Sequence, residues 1–444
     1  MKWKNLAIVL AIFAALFAWV YFYEIKGEKK REEAVEKEKK IFQFEEKDIT
    51  QITVKNADGE FVLQKDKDNW KLVQPLATKA DKSSADSLAS DLAQAKTDRT
   101  LDEPDPNFKN FGLEPAVVKL TVKLGSGQTH ELELGDKDFS SSSVFGRIPG
   151  QAKILVLPSS LHSSATKKLF DFRDKNVLEF QRDQLKAMNI LTKGKEYALE
   201  KATDDWNVKK PFESRADNTE VNSIVGDLEF AKVEEFVDSP AELKRYGLTS
   251  PAVRVDLFLG DNRARKTLLI GNKIDSNYYA KDEARDAVFK IKEDLFKKLD
   301  FESTKIRDKK VLRFERANIK QIDIKLADKE FSFFRGSDDK WKMSKPTGHQ
   351  GKFISEYKIF WPLEDLEGKE LIDNANLTDA KYGFASPSAQ IKIEDKSGKT
   401  AEVALGKLDK EQIFVKTNSG TTVYKVEKKI LEDLNLKPED IIEK

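Results

Sequence analysis

Three histidines are the first residues to test for chemistry, because imidazole can bind metals and transfer protons near neutral pH. They are His130, His162 and His349, and they occupy different positions in the internal repeat of the chain. No two of them have the i,i+4 spacing of a helical zinc site. The chain also has no cysteine, so thiolate nucleophiles and thiolate metal ligands are absent. We therefore predict no metal site and expect each histidine to be solvated or locally hydrogen-bonded.

Three further segments match only part of a functional motif. Gly398-Lys399-Thr400 ends like a phosphate-binding loop, but Ile393 stands where that loop needs its first glycine. The segment at residues 66–69, Asp-Lys-Asp-Asn, lacks the glycine and the terminal glutamate of a calcium loop. Residues 140–143 are four serines without a Gly-x-Ser-x-Gly elbow around them. We interpret the first two as hairpin turns and the third as a loop, and we predict no catalytic residue and no cofactor.

The overall composition limits the class of partner. The chain has 78 basic and 77 acidic residues among 444, and the two signs are interleaved. A nucleic-acid-binding protein would instead concentrate basic residues on one surface. The length corresponds to about three domains of ordinary size, each able to bury its own core.

The N-terminal segment has the features of a membrane anchor. Residues 6–23 carry no charged side chain, and as a helix they would span about 27 Å, close to the hydrocarbon thickness of a bilayer. Trp3 precedes this segment, and Trp19, Tyr21 and Tyr23 lie at its far end, where aromatic rings settle at membrane interfaces. We predict an uncleaved transmembrane anchor over residues 1–23. A cleaved signal peptide is the alternative, although no Ala-x-Ala pair follows the apolar core.

Residues 24–40 alternate acidic and basic side chains and predict a solvated helical stalk. More basic residues follow the apolar segment than precede it, which favours a cytoplasmic C-terminus. That rule weakens when a long domain follows, and a short N-terminus with Lys2 and Lys4 is typical of exported anchors. We expect the soluble part to be extracytoplasmic.

An internal repeat organises the remainder of the chain. Trp70, Trp206 and Trp341 are spaced by 136 and 135 residues, and each is followed five positions later by a proline. Each copy then has an aromatic-Gly-apolar step, an apolar-Gly step and an aromatic strand. The first steps are Phe111-Gly112-Leu113, Tyr246-Gly247-Leu248 and Tyr382-Gly383-Phe384; the second are Leu134-Gly135, Ile270-Gly271 and Leu405-Gly406. We predict three modules at residues 41–175, 176–310 and 311–444, with Arg-Asp-Lys connectors at 173–175 and 307–309.

Each module alternates between strand and helix patterns. Residues 52–54 and 61–63 alternate about an Asp58-Gly59 turn, which predicts a hairpin. Residues 85–93 and 221–228 have apolar side chains at helical spacing, and the second helix begins with a capping spacing from Asp217 to Glu220. The fold class is therefore α+β: three tandem repeats of a mainly antiparallel sheet with a helix, behind one transmembrane helix.

The third module departs most from the repeat. Pro362 is predicted to interrupt its helix, and Phe360 and Trp361 add bulky aromatic side chains there. We select Phe360 and Trp361 as a possible partner contact. The repeated Trp, Pro and Gly positions favour structural packing over a repeated ligand platform, because a ligand site is more often elaborated in one copy.

The order of these landmarks resembles the bacterial domain-of-unknown-function family 4340. Residues 239–248, SPAELKRYGL, come closest to the family pattern, whereas Phe111 replaces a tyrosine and Phe384 a leucine. The resemblance implies an envelope protein encoded beside ABC-type transport components like those of gliding-motility systems, and it carries no catalytic residue. The resulting expectation is a non-enzymatic accessory or scaffold protein in the bacterial inner membrane. The alternative is an extracytoplasmic binding module for a polysaccharide, peptide or lipid.

Overall fold

A computed structural model of the chain describes residues 3, 11–14, 16–17, 19, 21, 38–97, 99–101 and 107–443. The predicted anchor and stalk lie largely outside these residues, and so does Tyr23. Trp3, Trp19 and Tyr21 are described, and their side chains are exposed. Within the described ranges, no helix combines the length and the apolar character needed to cross a membrane.

The rest of the described chain contains three mainly antiparallel sheets. The first has nine strands in the order β4-β3-β2-β1-β6-β7-β8-β9-β5. Its strands are β1 (Ile49–Asn56), β2 (Gly59–Asp66), β3 (Asn69–Gln74), β4 (Thr78–Lys79), β5 (Arg99–Leu101), β6 (Val118–Leu124), β7 (Thr129–Lys137), β8 (Ser143–Arg147) and β9 (Ile154–Pro158). The predicted hairpin is β1 with β2, which pair from Gln51 with Gln64 to Asn56 with Gly59.

The second and third sheets repeat this strand order. The second contains β10 (Leu185–Thr192), β11 (Lys195–Ala202), β12 (Asp205–Lys210), β13 (Ser214–Arg215), β14 (Glu235–Val237), β15 (Val253–Leu259), β16 (Ala264–Ile274), β17 (Asn277–Asp282) and β18 (Val288–Lys292). The third contains β19 (Ile319–Leu326), β20 (Glu330–Arg335), β21 (Trp341–Lys345), β22 (Glu370–Ile372), β23 (Ala389–Asp395), β24 (Thr400–Asp409), β25 (Gln412–Thr417) and β26 (Val423–Glu427). The third sheet has eight strands because, among its described residues, the two-residue edge strand is replaced by a bridge from Lys342 to Phe353.

One principal helix packs on each sheet. These are α1 (Lys82–Ala93), α3 (Asn218–Phe230) and α6 (Tyr357–Glu364); the shorter helices are α2 (Ser159–Ala165), α4 (Glu293–Leu299), α5 (Ser303–Ile306), α7 (Lys429–Leu434) and α8 (Pro438–Ile441). The Asp217 side chain accepts hydrogen bonds from the backbone N–H groups of Thr219 and Glu220, so the predicted start of α3 is correct.

The prediction that Pro362 interrupts the third helix is wrong. Pro362 lies inside α6, which continues to Glu364. A proline removes its own backbone N–H from the helix and costs about 3 kcal/mol. Burial of Ile359, Phe360 and Leu363 on the inner face of α6 offsets this loss. Tertiary packing therefore holds a short helix that local propensity disfavours.

The repeated tryptophans belong to the cores of the modules. Trp70, Trp206 and Trp341 are all buried, and the prolines five positions later each follow a cis peptide bond. Trp70 donates its indole N–H to Asp86 and Trp206 donates to Asn222, both on the covering helix. Trp341 instead packs edge-on against Phe360, with ring centroids 5.2 Å apart. These positions therefore serve packing.

The repeated glycines allow two backbone segments to approach closely. The first glycine of each copy ends a 3-10 turn with positive φ, at 65°, 73° and 74° for Gly112, Gly247 and Gly383. A side chain on the second glycine would collide with the carbonyl oxygen before the first. An added Cβ atom would lie 2.0 Å from Phe111 O at Gly135, 2.1 Å from Tyr246 O at Gly271 and 2.0 Å from Tyr382 O at Gly406.

The described chain divides into two compact units. One comprises Met1–Asn176 with Lys232–Phe236, and the other comprises Val177–Ala231 with Val237–Lys444. The first sheet belongs to one unit, and the third sheet with most of the second belongs to the other.

Within the second unit, the connector at residues 307–309 and the two residues after it pair with both neighbouring modules. Asp308 N donates to Arg215 O of the second module at 3.1 Å, and Val311 N donates to Leu366 O of the third at 3.0 Å. The Arg307 guanidinium contacts both carboxylate oxygens of Asp373 at 2.6 Å and lies 4.7 Å from the Phe212 ring centroid. The connector is therefore part of the packed structure.

Candidate functional site

The histidines do not converge. His130 packs on the rings of Phe42 and Phe44, with centroids 5.2 Å away in each case, whereas His162 lies in α2 of the same module. His349 lies in the third module, between β21 and α6. No group of three or more His, Cys, Asp or Glu side chains able to hold a metal is found in the ranges that the structure describes.

His162 is expected to make the free energy of unfolding depend on pH. Burial lowers the pKa of its imidazole, and the positive charge of Lys137 adds to the effect. As the pH falls through about 6.5, the unfolded chain takes up a proton that the folded chain binds only at lower pH. We expect the free energy of unfolding to fall less steeply between about pH 7 and pH 5 in His162→Gln than in the natural chain. Urea unfolding at several pH values measures this slope, and equal slopes would contradict the assignment.

The partial motifs are turns. Gly398 lies in the hairpin between β23 and β24 with φ of +86°, and Lys67-Asp68 forms the turn between β2 and β3. Ser140 donates its hydroxyl to Asp138 at 2.8 Å, and Asp138 also accepts the backbone N–H of Ser143. Local hydrogen bonds therefore account for these residues.

The two selected aromatic residues of α6 have different environments. Phe360 is fully buried against Trp341 and Phe314, so it does not reach the surface and is unsuitable as a partner contact. Trp361 is 50% exposed. Its ring centroid lies 5.3 Å from that of Tyr357, which is 56% exposed. The surface of α6 thus carries a Tyr357–Trp361 aromatic pair.

This pair distinguishes the third module from the others. The corresponding outward positions of α1 include Lys82, Ser83 and Ser87. Those of α3 include Thr219, Ser223 and Asp227, and its exposed Phe230 at the end of the helix has no aromatic partner four positions away. Aromatic residues at i,i+4 on an exposed helical face leave apolar rings in contact with water and do not contribute to the core. Their placement opposite the buried stripe could have been read from the sequence.

The third sheet has a groove on the face away from α6. We call it the third-module groove; its cavity of about 560 Å³ is lined by residues that include Lys325, Lys392, Lys416, Phe384, Leu377 and Ala404. Side chains alternate between the two faces of a strand, and Ile324, Ile391 and Val403 point into the core beneath α6. A further cavity of about 560 Å³ shares Leu377, Phe384 and Lys416 with the groove.

The groove exists because one side chain is small. In each module, the residue two positions before the second repeated glycine lies in the middle of a cross-strand row. This residue is Glu133 in the first module, between Lys119 and Arg147. It is Leu269 in the second, between Arg254 and Lys281, and Ala404 in the third, between Gln390 and Lys416. Glu133 forms ion pairs with Lys119 at 2.7 Å and Arg147 at 2.6 Å. Leu269 completes an apolar cluster with Tyr246 and Leu248. Ala404 leaves the equivalent space open.

The groove has a small excess of positive charge. Glu330 pairs with Lys345 at 2.8 Å, which leaves Asp323 and Glu402 against the three lysines of the lining. Asp323 accepts a hydrogen bond from the Ser332 hydroxyl at 2.6 Å and keeps its charge; both Asp323 and Glu402 lie opposite Lys392 in the strand register. Neither Lys325 nor Lys392 forms an ion pair with any residue that the structure describes. Lys416 Nζ lies 5.0 Å from the centroid of the Phe384 ring.

The match to a protein family recurs three times along the chain, as the internal repeat does. The model for Domain of unknown function (DUF4340) matches residues 70–240, 206–357 and 357–444, well over half of the chain. The chain belongs to the DUF4340 family. Two of the matches begin at Trp70 and Trp206, the repeated tryptophans. A search of the curated proteins finds no match.

The DUF4340 repeat also shows what sequence reasoning missed. Phe384 is recognisable as a departure from the family pattern, but Ala404 is not, although it departs at the position of Glu133 and Leu269. Aligning the three copies two positions before the second glycine would have found it. The two departures line the same groove.

Proposed function

We propose that this DUF4340 chain is a non-enzymatic accessory protein, anchored on the extracytoplasmic side of the bacterial inner membrane, that presents its modules to a membrane protein partner. A subunit of an ABC-type transport system is the partner that the family resemblance favours. The observation that carries the proposal is the exposed Tyr357–Trp361 pair on the third module. Tryptophan and tyrosine are enriched at the centres of protein interfaces, where they contribute most of the binding energy.

Two other features support the proposal. The repeated landmarks are occupied with packing, since the tryptophans are buried and the glycines permit close backbone contacts. The apolar residues 6–23 suit an anchor that would hold the modules near a membrane partner.

Affinity purification tests the partner contact. The full chain, tagged at its C-terminus and extracted in mild detergent, is expected to recover a membrane protein, and Trp361→Ser is expected to reduce the recovery about tenfold, as for loss of an interface hot spot. Phe230→Ser is the matched control, because Phe230 is 72% exposed on the corresponding helix of the second module. Equal recovery with Trp361→Ser, or no membrane protein above background, would refute the proposal.

Protease accessibility tests the location. In spheroplasts the soluble modules are expected to be digested while the inner membrane is intact. Protection until that membrane is broken would contradict an extracytoplasmic location and, with it, most of the proposed function.

A specific observation also favours the alternative function of a binding module. The third-module groove has the volume of a small-molecule site, which is about 300 to 1,000 Å³. The groove arises from two departures in the third copy, Phe384 and Ala404, whereas the tryptophan, proline and glycine landmarks recur in all three copies.

A further inference from the structure

We infer that the third-module groove binds a small anionic amphiphile, a molecule that carries one phosphate or carboxylate group beside an apolar chain. This inference rests on the binding-module function and not on the partner contact of Tyr357 and Trp361. It follows from the charge of the groove, its apolar wall and the volume that Ala404 leaves open.

Three lysines from neighbouring strands could hold the anionic group. Lys325, Gln390, Ala404 and Lys416 form one cross-strand row over β19, β23, β24 and β25. Three strand spacings place the Cα atoms of the terminal lysines about 14 Å apart, which two lysine side chains can bridge through a bound anion. Lys392 lies two residues along β23 from Gln390, on the same face of the sheet. An ammonium group binds phosphate as a point charge from several directions.

The apolar chain of the ligand would lie against an apolar wall formed by Phe384, Leu377 and Ala404. Phe384, Leu377 and Ala404 belong to one apolar cluster that includes Tyr382. In the second module Leu269 fills the corresponding cluster, and in the third Ala404 supplies one methyl group instead. In the third module Ala404 and Leu377 therefore remain partly exposed beside Phe384, which is only 9% exposed, and an alkyl chain would cover them.

The two halves of the groove together define the ligand class. A neutral ligand would take water from the ammonium groups of Lys325 and Lys392 without pairing their charges. An inorganic anion would leave the apolar wall in contact with water. Only a ligand with both parts satisfies both surfaces.

Calorimetric titration with hexyl phosphate tests the inference. The probe is added to the full chain in an amphipol, beside separate titrations with hexanol, hexanoate and inorganic phosphate. We expect hexyl phosphate to bind at least about tenfold more tightly than hexanol or inorganic phosphate, as when a charge-assisted contact or an apolar contact is lost. Comparing hexyl phosphate with hexanoate distinguishes a phosphate source from a carboxylate source, and tight binding of either one supports the inference.

Ala404→Leu is the decisive variant, because it places in the groove the side chain that Leu269 supplies in the second module. We expect it to remain folded and to weaken binding of the anionic amphiphile at least about tenfold. Lys392→Gln is expected to weaken binding of hexyl phosphate but not of hexanol, and Lys244→Gln, an exposed lysine of the second module, serves as its charge control.

Two results would overturn the inference. One is unchanged binding in a folded Ala404→Leu variant, and the other is an affinity for hexanol equal to that for both hexyl phosphate and hexanoate. Partner recovery by these groove variants separates the two functions: a groove variant that loses the ligand and keeps the membrane partner leaves the accessory function intact.

Discussion

Replacing Gly271 by alanine is expected to lower the free energy of unfolding by about 3 kcal/mol, because the new methyl group must displace backbone and not a flexible side chain. The added Cβ would lie 2.1 Å from Tyr246 O and 2.9 Å from Gly247 C. Relief of this collision would open the contact between β16 and the 3-10 turn that ends at Gly247. Urea denaturation followed by circular dichroism measures the loss.

Gly226→Ala is the matched control in the same module. Gly226 lies inside α3, and its nearest neighbour to a new Cβ is the Arg182 guanidinium at 4.0 Å. Alanine there removes backbone freedom from the unfolded chain and is expected to stabilise by up to about 1 kcal/mol. If Gly271→Ala lowered the free energy of unfolding no more than Gly226→Ala does, the close contact at Gly271 would not be a determinant of the fold.

Replacing Arg307 by methionine is expected to uncouple the second and third modules. The Arg307 side chain contacts Phe212 of the second module and Asp373 of the third, and it also donates to Thr422 at 3.3 Å. Its removal leaves the Asp373 carboxylate without its guanidinium partner, at a cost of about 2 kcal/mol for a partly buried pair. In calorimetry we expect one shared transition of these modules in the natural chain and two separate transitions in the variant.

Arg263→Met provides the control for loss of an arginine. Arg263 pairs with Glu200 on the surface of the second module, where both side chains are well exposed, and such pairs contribute little to stability. The interpretation would fail if Arg307→Met kept a single transition at an unchanged temperature, or if cleavage by protease within residues 307–311 did not increase.

Much of each module could be predicted from short segments. The hairpin of β1 and β2 follows from strand alternation about a turn, and the start of α3 follows from the Asp217 cap, since both depend on residues a few positions apart. The helix through Pro362 could not be predicted in this way. Its stability comes from burial of Phe360 against Trp341, a residue in a different element.

The exposure of the two aromatic residues selected as a partner contact also depends on residues distant in the sequence. Trp361 and Phe360 are adjacent aromatic residues with the same appeal in the sequence, but Trp361 is exposed and Phe360 is buried. Adjacent residues on a helix point in directions about 100° apart, so the position of the core decides which of the two meets solvent. Bulk and aromatic character alone do not make that distinction.

The order and spacing of residues are enough to define the repeat, its aromatic and glycine landmarks, the α+β class and membership of a family whose pattern recurs along the chain. These properties are read directly from the chain because they depend on positions within one copy or on the period between copies. The third-module groove arises only when the chain is folded. Gln390, Ala404 and Lys416 become neighbours through the register of three strands, and the space above Ala404 depends on Phe384 from a separate turn. An alignment of the copies shows that Ala404 is small, but only its neighbours in space show that its size leaves a groove.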